Sequence, residues 1–169
     1  FIDSFSIVNN VKRFEQYFKN KGYFNTKVEV QKILKTNQKG TVKYSIQTED
    51  QFTIDSIKQE INSPALDSLY NLSFKNRLIK KGDPFEIDRF EAERNRLISY
   101  FRNNGVYNFQ QNNIQFTAAI DSSGIDTKIP VVVKISNFQK RENDSLSIIP
   151  YQIHKVKKIN LYIDSAGQL

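Results

Sequence analysis

Apolar residues change their spacing at intervals along the chain, and each change marks the border of an element. Ile7, Val11, Phe14 and Phe18 fall at i, i+4, i+7 and i+11, one stripe of a 3.6-residue helix that is predicted to run to about Lys21. Gly22 is the expected stop, since the residue just past a helix end often needs positive φ. The period then becomes two: Val28 and Val30, then Val42, Tyr44 and Ile46 across Asn37–Gly40, which predicts a hairpin with one buried face. Phe52, Ile54 and Ile57 predict a strand from about Gln51 to Ile57. Ser63 and Pro64 then open a helix carrying Leu66, Leu69, Tyr70 and Phe74 toward Ile79.

After Gly82, the run Asp83, Pro84, Phe85, Glu86 reads as a capping box. It opens a helix from about Pro84 to Asn104 with Phe90, Leu97, Ile98 and Phe101 as its buried stripe. Ile114, Phe116, Ala118 and Ile120 alternate in a strand predicted over about Gln110 to Ile120, and Asp121–Gly124 is turn chemistry. Ile129, Val131, Val133 and Ile135 alternate in the next strand, about Thr127 to Ser136. Pro130 lacks an N–H, so that strand either begins there or carries a bulge. The polar stretch Phe138 to Ser147 reads as a linker or long loop, and Tyr151–Lys157 echoes Phe52–Lys58.

The helix ends are written twice. Tyr17-Phe18-Lys19-Asn20-Lys21-Gly22-Tyr23 returns 83 residues later as Tyr100-Phe101-Arg102-Asn103-Asn104-Gly105, followed by Val106 and Tyr107. Each copy closes a helix and leads into a hairpin, which defines a repeating unit of strand, helix, helix, hairpin. The fold class is therefore α+β, with two helices on one face of a three-stranded mixed sheet. Residues 1–49 hold a partial unit (second helix and hairpin), 50–139 a complete one, and 140–169 a linker with the first strand of a further unit.

Composition narrows the chemistry. Cysteine is absent, which removes disulfides and thiolate sites, and His154 is the single histidine, read as an ordinary surface residue. The acids Asp83, Glu86 and Asp88 are explained by helix capping, and no glycine-rich phosphate loop is present. No catalytic residue, metal site or cofactor is expected. The net charge of +7 favours an anionic partner, but the basic clusters are short and most aromatics fall on core stripes. A basic nucleic-acid-binding domain is accordingly a distant alternative, and no nucleic acid is expected as partner. The absence of any methionine is read as the sign of a fragment of something longer.

The β-α-α-β-β order, the Gly82-Asp83-Pro84-Phe85 lead-in and the doubled Tyr-Phe-x-Asn-x-Gly helix end resemble POTRA domains of the BamA/TamA outer-membrane assembly superfamily. The resemblance covers about 140 of the 169 residues. Val106 departs from the aromatic that commonly follows the glycine, and Tyr107 is expected to take over its packing. The resemblance implies a periplasmic, non-enzymatic scaffold of an outer-membrane protein. Its expected partners are unfolded outer-membrane clients, accessory assembly subunits and an anionic membrane surface. Two-partner secretion transporters and FtsQ-like division proteins are alternatives of the same fold. It also implies that the strand after the second helix is an open edge for adding a client strand. Here that is Gln110, Asn112, Ile114, Gln115, Phe116, Thr117 and Ala118, with Val28 and Val30 equivalent in the first unit. Tyr17, Phe18, Gly22, Tyr23, Tyr100, Phe101, Gly105 and Tyr107 are assigned a structural role at the helix ends.

Overall fold

The computed structural model describes residues 3–34, 40–120, 126–142 and 145–161. In chain order the elements are α1 (Ser4–Asn20), β1 (Lys27–Leu34), β2 (Gly40–Gln47), β3 (Thr53–Ile61), α2 (Pro64–Leu72), α3 (Ile87–Asn103), β4 (Ile114–Ala118), β5 (Lys128–Ile135), β6 (Phe138–Glu142) and β7 (Ser145–Ile149). Residues 53–135 form the complete unit, β-α-α-β-β, an α+β fold. Its sheet has the order β3-β5-β4, with β3 parallel and β4 antiparallel to the central β5. Alternation in β5 sends Ile129, Val131, Val133 and Ile135 into the core beneath the helices, where Leu66, Leu69, Tyr70, Phe90, Leu97 and Phe101 meet them.

Pro130 lies within β5, not at its start. Opposite it the β3–β5 register slips between Ile54 and Ser56, so the irregularity falls on the partner strand. The Pro130 carbonyl still accepts from Ala119 N at 3.4 Å. β3 runs further than its apolar alternation, to Ile61, because β5 offers a ladder as far as Ile135.

Three sequence expectations are corrected. The capping box does not form, because residues 82–85 turn at Gly82 and hydrogen-bond to the start of β3. Gly82 N donates to Ile54 O at 2.7 Å, Ile54 N to Asp83 O at 2.9 Å, and Phe85 N to Phe52 O at 2.8 Å. α3 therefore begins at Ile87, and Asp83 instead accepts from Lys80 N and pairs with Arg89. Second, α2 stops at Leu72 and not near Ile79. The Ser73 hydroxyl donates to Tyr70 O at 2.8 Å, a local bond that competes with the helix ladder, and residues 74–76 make one tight turn. Phe74 leaves the buried stripe and lies exposed beneath the Arg77 guanidinium. The buried Glu93 holds this segment to α3: it accepts Leu78 N at 3.0 Å and takes a bidentate contact from Arg96 at 2.6 and 2.7 Å.

Third, the stretch from Phe138 is not a linker. β6 and β7 pair in register from Phe138↔Ile149 to Glu142↔Ser145. Tyr151–Leu161 contains no strand; among the described residues its backbone is bonded at His154 N to Gly105 O and at Tyr151 N to the Ser63 hydroxyl, and a strand needs a partner along its length. The turn residues Asn37, Gln38 and Lys39, and Asp121 to Gly124, lie outside the described residues.

In the partial unit α1 packs on the antiparallel β1–β2 hairpin through Phe14 against Tyr44, ring centroids 5.3 Å apart, and Asn10 Nδ2 donates to the Tyr44 hydroxyl. Asp3 caps α1, accepting from the Ser6 hydroxyl and from Phe5 N and Ser6 N, and these bonds hold its carboxyl below the ordinary aspartate value.

The two units meet at the end of α1. Tyr23 N donates to Phe18 O and Gly22 N to Lys19 O, a Schellman end with Gly22 at φ +84°. Gly22 O then accepts Phe52 N at 2.9 Å, at the threshold of β3. Phe24 enters the second unit's core, with ring centroids 4.9 Å from Phe52 and 5.8 Å from Phe85. Lys21 Nζ reaches Asp88 of α3 at 3.0 Å, and that bond raises the lysine above its ordinary value.

Candidate functional site

β4 is the open edge of the three-stranded sheet. Ser136 N donates to Asn113 O and Ala119 N to Pro130 O, so the residues bonded to β5 are the odd-numbered ones from 113 to 119. In an antiparallel ladder the intervening residues turn their main chain the other way. The carbonyls of Ile114, Phe116 and Ala118 and the N–H groups of Phe116 and Ala118 therefore point out of the sheet. Among the described residues they have no backbone partner there, whereas Ile114 N is taken by Gln111 O.

Side chains take the perpendicular alternation. Ile114 is buried, Phe116 is half-buried 5.3 Å from the Phe90 ring, and the Arg94 guanidinium sits 5.5 Å from the Phe116 ring centre. Gln115 and Thr117 are exposed on the opposite face. The strand is shorter than its sequence pattern. Residues 111–113 make a 3-10 turn, so Gln110 and Asn112 are off the strand and line an open groove beside it with Arg94, Gln111, Ile114 and Gln115.

Asn113, with no period-two signal to mark it, fixes this turn. Its Nδ2 donates to Ser136 O, Asn137 O and the Tyr151 hydroxyl at 2.9–3.2 Å. Burial raises the Tyr151 hydroxyl above its ordinary value. Arg102 braces the same loop with Nε and an Nη on Phe109 O at 3.0 and 2.7 Å.

The other edge differs. β3 is covered at its first two residues, Thr53 and Ile54, by residues 82–85, and beyond them it presents Lys58 and Glu60. β4 carries no charged residue, the guard that commonly keeps an edge from pairing. Val28 and Val30 lie half-buried in β1, in a separate two-stranded sheet, and are not brought to the β4 edge. Among the described residues no group of three or more His, Asp or Glu is placed to hold a metal, and no helix is long and apolar enough to cross a membrane.

The doubled helix end reappears as geometry. Val106 N donates to Phe101 O and Gly105 N to Arg102 O, matching the first copy bond for bond. Phe18 and Tyr23 are half-buried with rings 6.1 Å apart, and Tyr17 is exposed. Phe101 is buried and Tyr100 packs at the core margin. The packing assigned to Tyr107 is corrected: Val106 itself is fully buried, while Tyr107 stays 67% exposed against His154. A smaller side chain fits because Phe109 fills the neighbouring space against Phe101 and Tyr151.

No family model matches this chain, and no curated protein matches its sequence. Among the solved structures similar to it are two of BamA. The crystal structure of BamA from Haemophilus ducreyi lacking POTRA domains 1-3 shares 10% identity at a TM-score of 0.44, over 83% of this chain and 25% of that one. The crystal structure of Haemophilus influenzae BamA POTRA3-5 shares 13% at 0.45, over 75% and 48%. The chain thus spans about a quarter and about half of those two chains.

Proposed function

We propose that this chain is a periplasmic scaffold of an outer-membrane assembly or translocation protein, and that it holds extended client or accessory segments by adding them to β4. The observation that carries the reading is the uncharged open edge: the outward main chain of Ile114, Phe116 and Ala118 beside a groove of amide side chains. Main-chain pairing makes little demand on client sequence, and the exposed Gln110, Gln111, Asn112 and Gln115 offer donors and acceptors to any backbone. The doubled helix end and the β-α-α-β-β order carry the resemblance that supports reading this edge as part of outer-membrane assembly.

The geometry sets the strength. Five outward groups at about 1 kcal/mol net each give about 5 kcal/mol, a dissociation constant on the order of 0.1–1 mM. Weak, exchanging capture suits a scaffold that must release what it holds. Ala118→Pro tests it, because the lost N–H faces outward and no β5 bond is removed. The variant is expected to fold with stability changed by less than about 1 kcal/mol. It should also lose binding of a ten-residue peptide with the alternating pattern of a barrel strand. A folded Ala118→Pro protein that binds that peptide as wild type does contradicts the proposal.

A further inference from the structure

Between Asp67 and Asp83 the chain carries no acid, and Lys75, Arg77, Lys80 and Lys81 share that stretch with three large apolar side chains turned to solvent. Leu72 is 72% exposed, Phe74 57% and Leu78 42%. Their exposure is imposed by the anchors around them. Ser73 is buried, donating to Tyr70 O and accepting from an Arg96 Nη at 3.4 Å, while at the other end Leu78 N donates to Glu93 and Ile79 is buried. The segment is pinned at both ends, so the apolar side chains between the anchors stay outside the core.

The charges beside them are largely free. Lys81 lies 3.6 Å from Asp55, but among the described residues Lys75, Arg77 and Lys80 pair with no carboxylate. The Arg77 guanidinium sits 3.7 Å from the Phe74 ring centre and 4.9 Å from that of Tyr70, which fixes a cation beside an exposed ring. Apolar side chains and bases presented together match the two layers of a membrane interface, acyl chains below and phosphates above. A soluble anion would satisfy the bases and leave Leu72, Phe74 and Leu78 in water. Carried on a helix end and one tight turn, these side chains suit a fluid surface that closes round them.

We propose that residues 72–81 form a peripheral docking site for an anionic phospholipid surface. Leu72, Phe74 and Leu78 enter the acyl boundary, and Lys75, Arg77 and Lys80 take lipid phosphates, Arg77 through the paired donors of its planar guanidinium. The site lies at the end of α2 and in the turn that follows it, on residues that take no part in the β4 edge. The inference therefore does not depend on client capture by β4.

The chain has no tryptophan, so Phe74→Trp places a single fluorophore in the site. With vesicles of phosphatidylcholine containing about 30 mol% phosphatidylglycerol, its emission is expected to shift to the blue and to be quenched by brominated acyl chains. Vesicles of phosphatidylcholine alone should bind about tenfold more weakly or less. In the same background Lys75→Gln with Lys80→Gln should weaken partition about fivefold for each lysine. Leu72→Ser with Leu78→Ser should weaken it about tenfold at unchanged charge. Ala118→Pro should bind the vesicles as wild type does while losing the barrel-strand peptide, so the two readings fail separately. No blue shift with the anionic vesicles, equal binding to both kinds of vesicle, or the same shift produced by glycerol phosphate or by polyglutamate would each overturn the proposal.

Discussion

Gly22 and Gly82 adopt nearly the same backbone, φ +84° and +86°, but their surroundings differ. A Cβ on Gly82 meets nothing within 4 Å, whereas on Gly22 it meets Phe85 O at 2.6 Å. Gly82→Ala therefore costs only the left-handed conformation, about 1 kcal/mol. Gly22→Ala carries that cost and must also open its contact by about 0.8 Å to reach the 3.4 Å of an ordinary contact. The opening strains the 2.9 Å bond from Phe52 N to Gly22 O and withdraws Phe24 from Phe52 and Phe85. Losing that bond and part of the Phe24 burial adds about 2 kcal/mol, for about 3 kcal/mol in all. Urea midpoints of the two variants measure the difference. Because the chain has no cysteine, Lys12→Cys with Lys128→Cys also gives two unique spin-label sites, one on each unit. The inter-unit distance distribution should broaden in Gly22→Ala and stay unchanged in Gly82→Ala. Equal midpoints for the two variants, or an unaltered distribution in Gly22→Ala, would refute the reasoning.

Glu93→Ala removes the buried partner of Arg96 and the acceptor of Leu78 N, and is expected to cost about 3 kcal/mol by urea denaturation. Glu93→Gln keeps an acceptor for Leu78 N and should cost about half as much. Burial raises the Tyr70 hydroxyl above its ordinary value, so the folded chain keeps a proton that the unfolded chain releases near pH 10. The unfolded state then binds fewer protons, and stability falls as pH rises from about 10 toward the folded value. Urea midpoints between pH 8.5 and 11 should show that decline flattened in Tyr70→Phe; identical slopes would refute the assignment.

The sequence made the complete unit legible where period and punctuation agreed. α3 announced itself through Phe90, Leu97, Ile98 and Phe101, β5 through four alternating aliphatics, and both helix ends through Gly22 and Gly105. What escaped was set by partners distant in sequence. Asp83, Pro84 and Glu86 have the residue types of a capping box, but hydrogen bonds to the start of β3 hold the segment out of the helix. The β6–β7 hairpin was masked by its polar content, although Leu146 and Ile148 alternate with Ser145 and Ser147 in a period-two signal that could have found it. The candidate edge was legible as a strand, but its uncovered side was not. That depends on β5 taking the odd-numbered residues and on residues 82–85 covering β3 instead.

Amide hydrogen exchange by NMR on the β4 edge tests the central claim most directly. Without a partner, the amides of Phe116 and Ala118 should exchange far faster than those of Gln115 and Thr117, whose main chains face β5. Millimolar peptide with a barrel-strand pattern should slow Phe116 and Ala118 several-fold while leaving Lys58 and Glu60 on β3 as they were. Protection that appears on β3, or on no strand while the peptide is bound, would contradict the account.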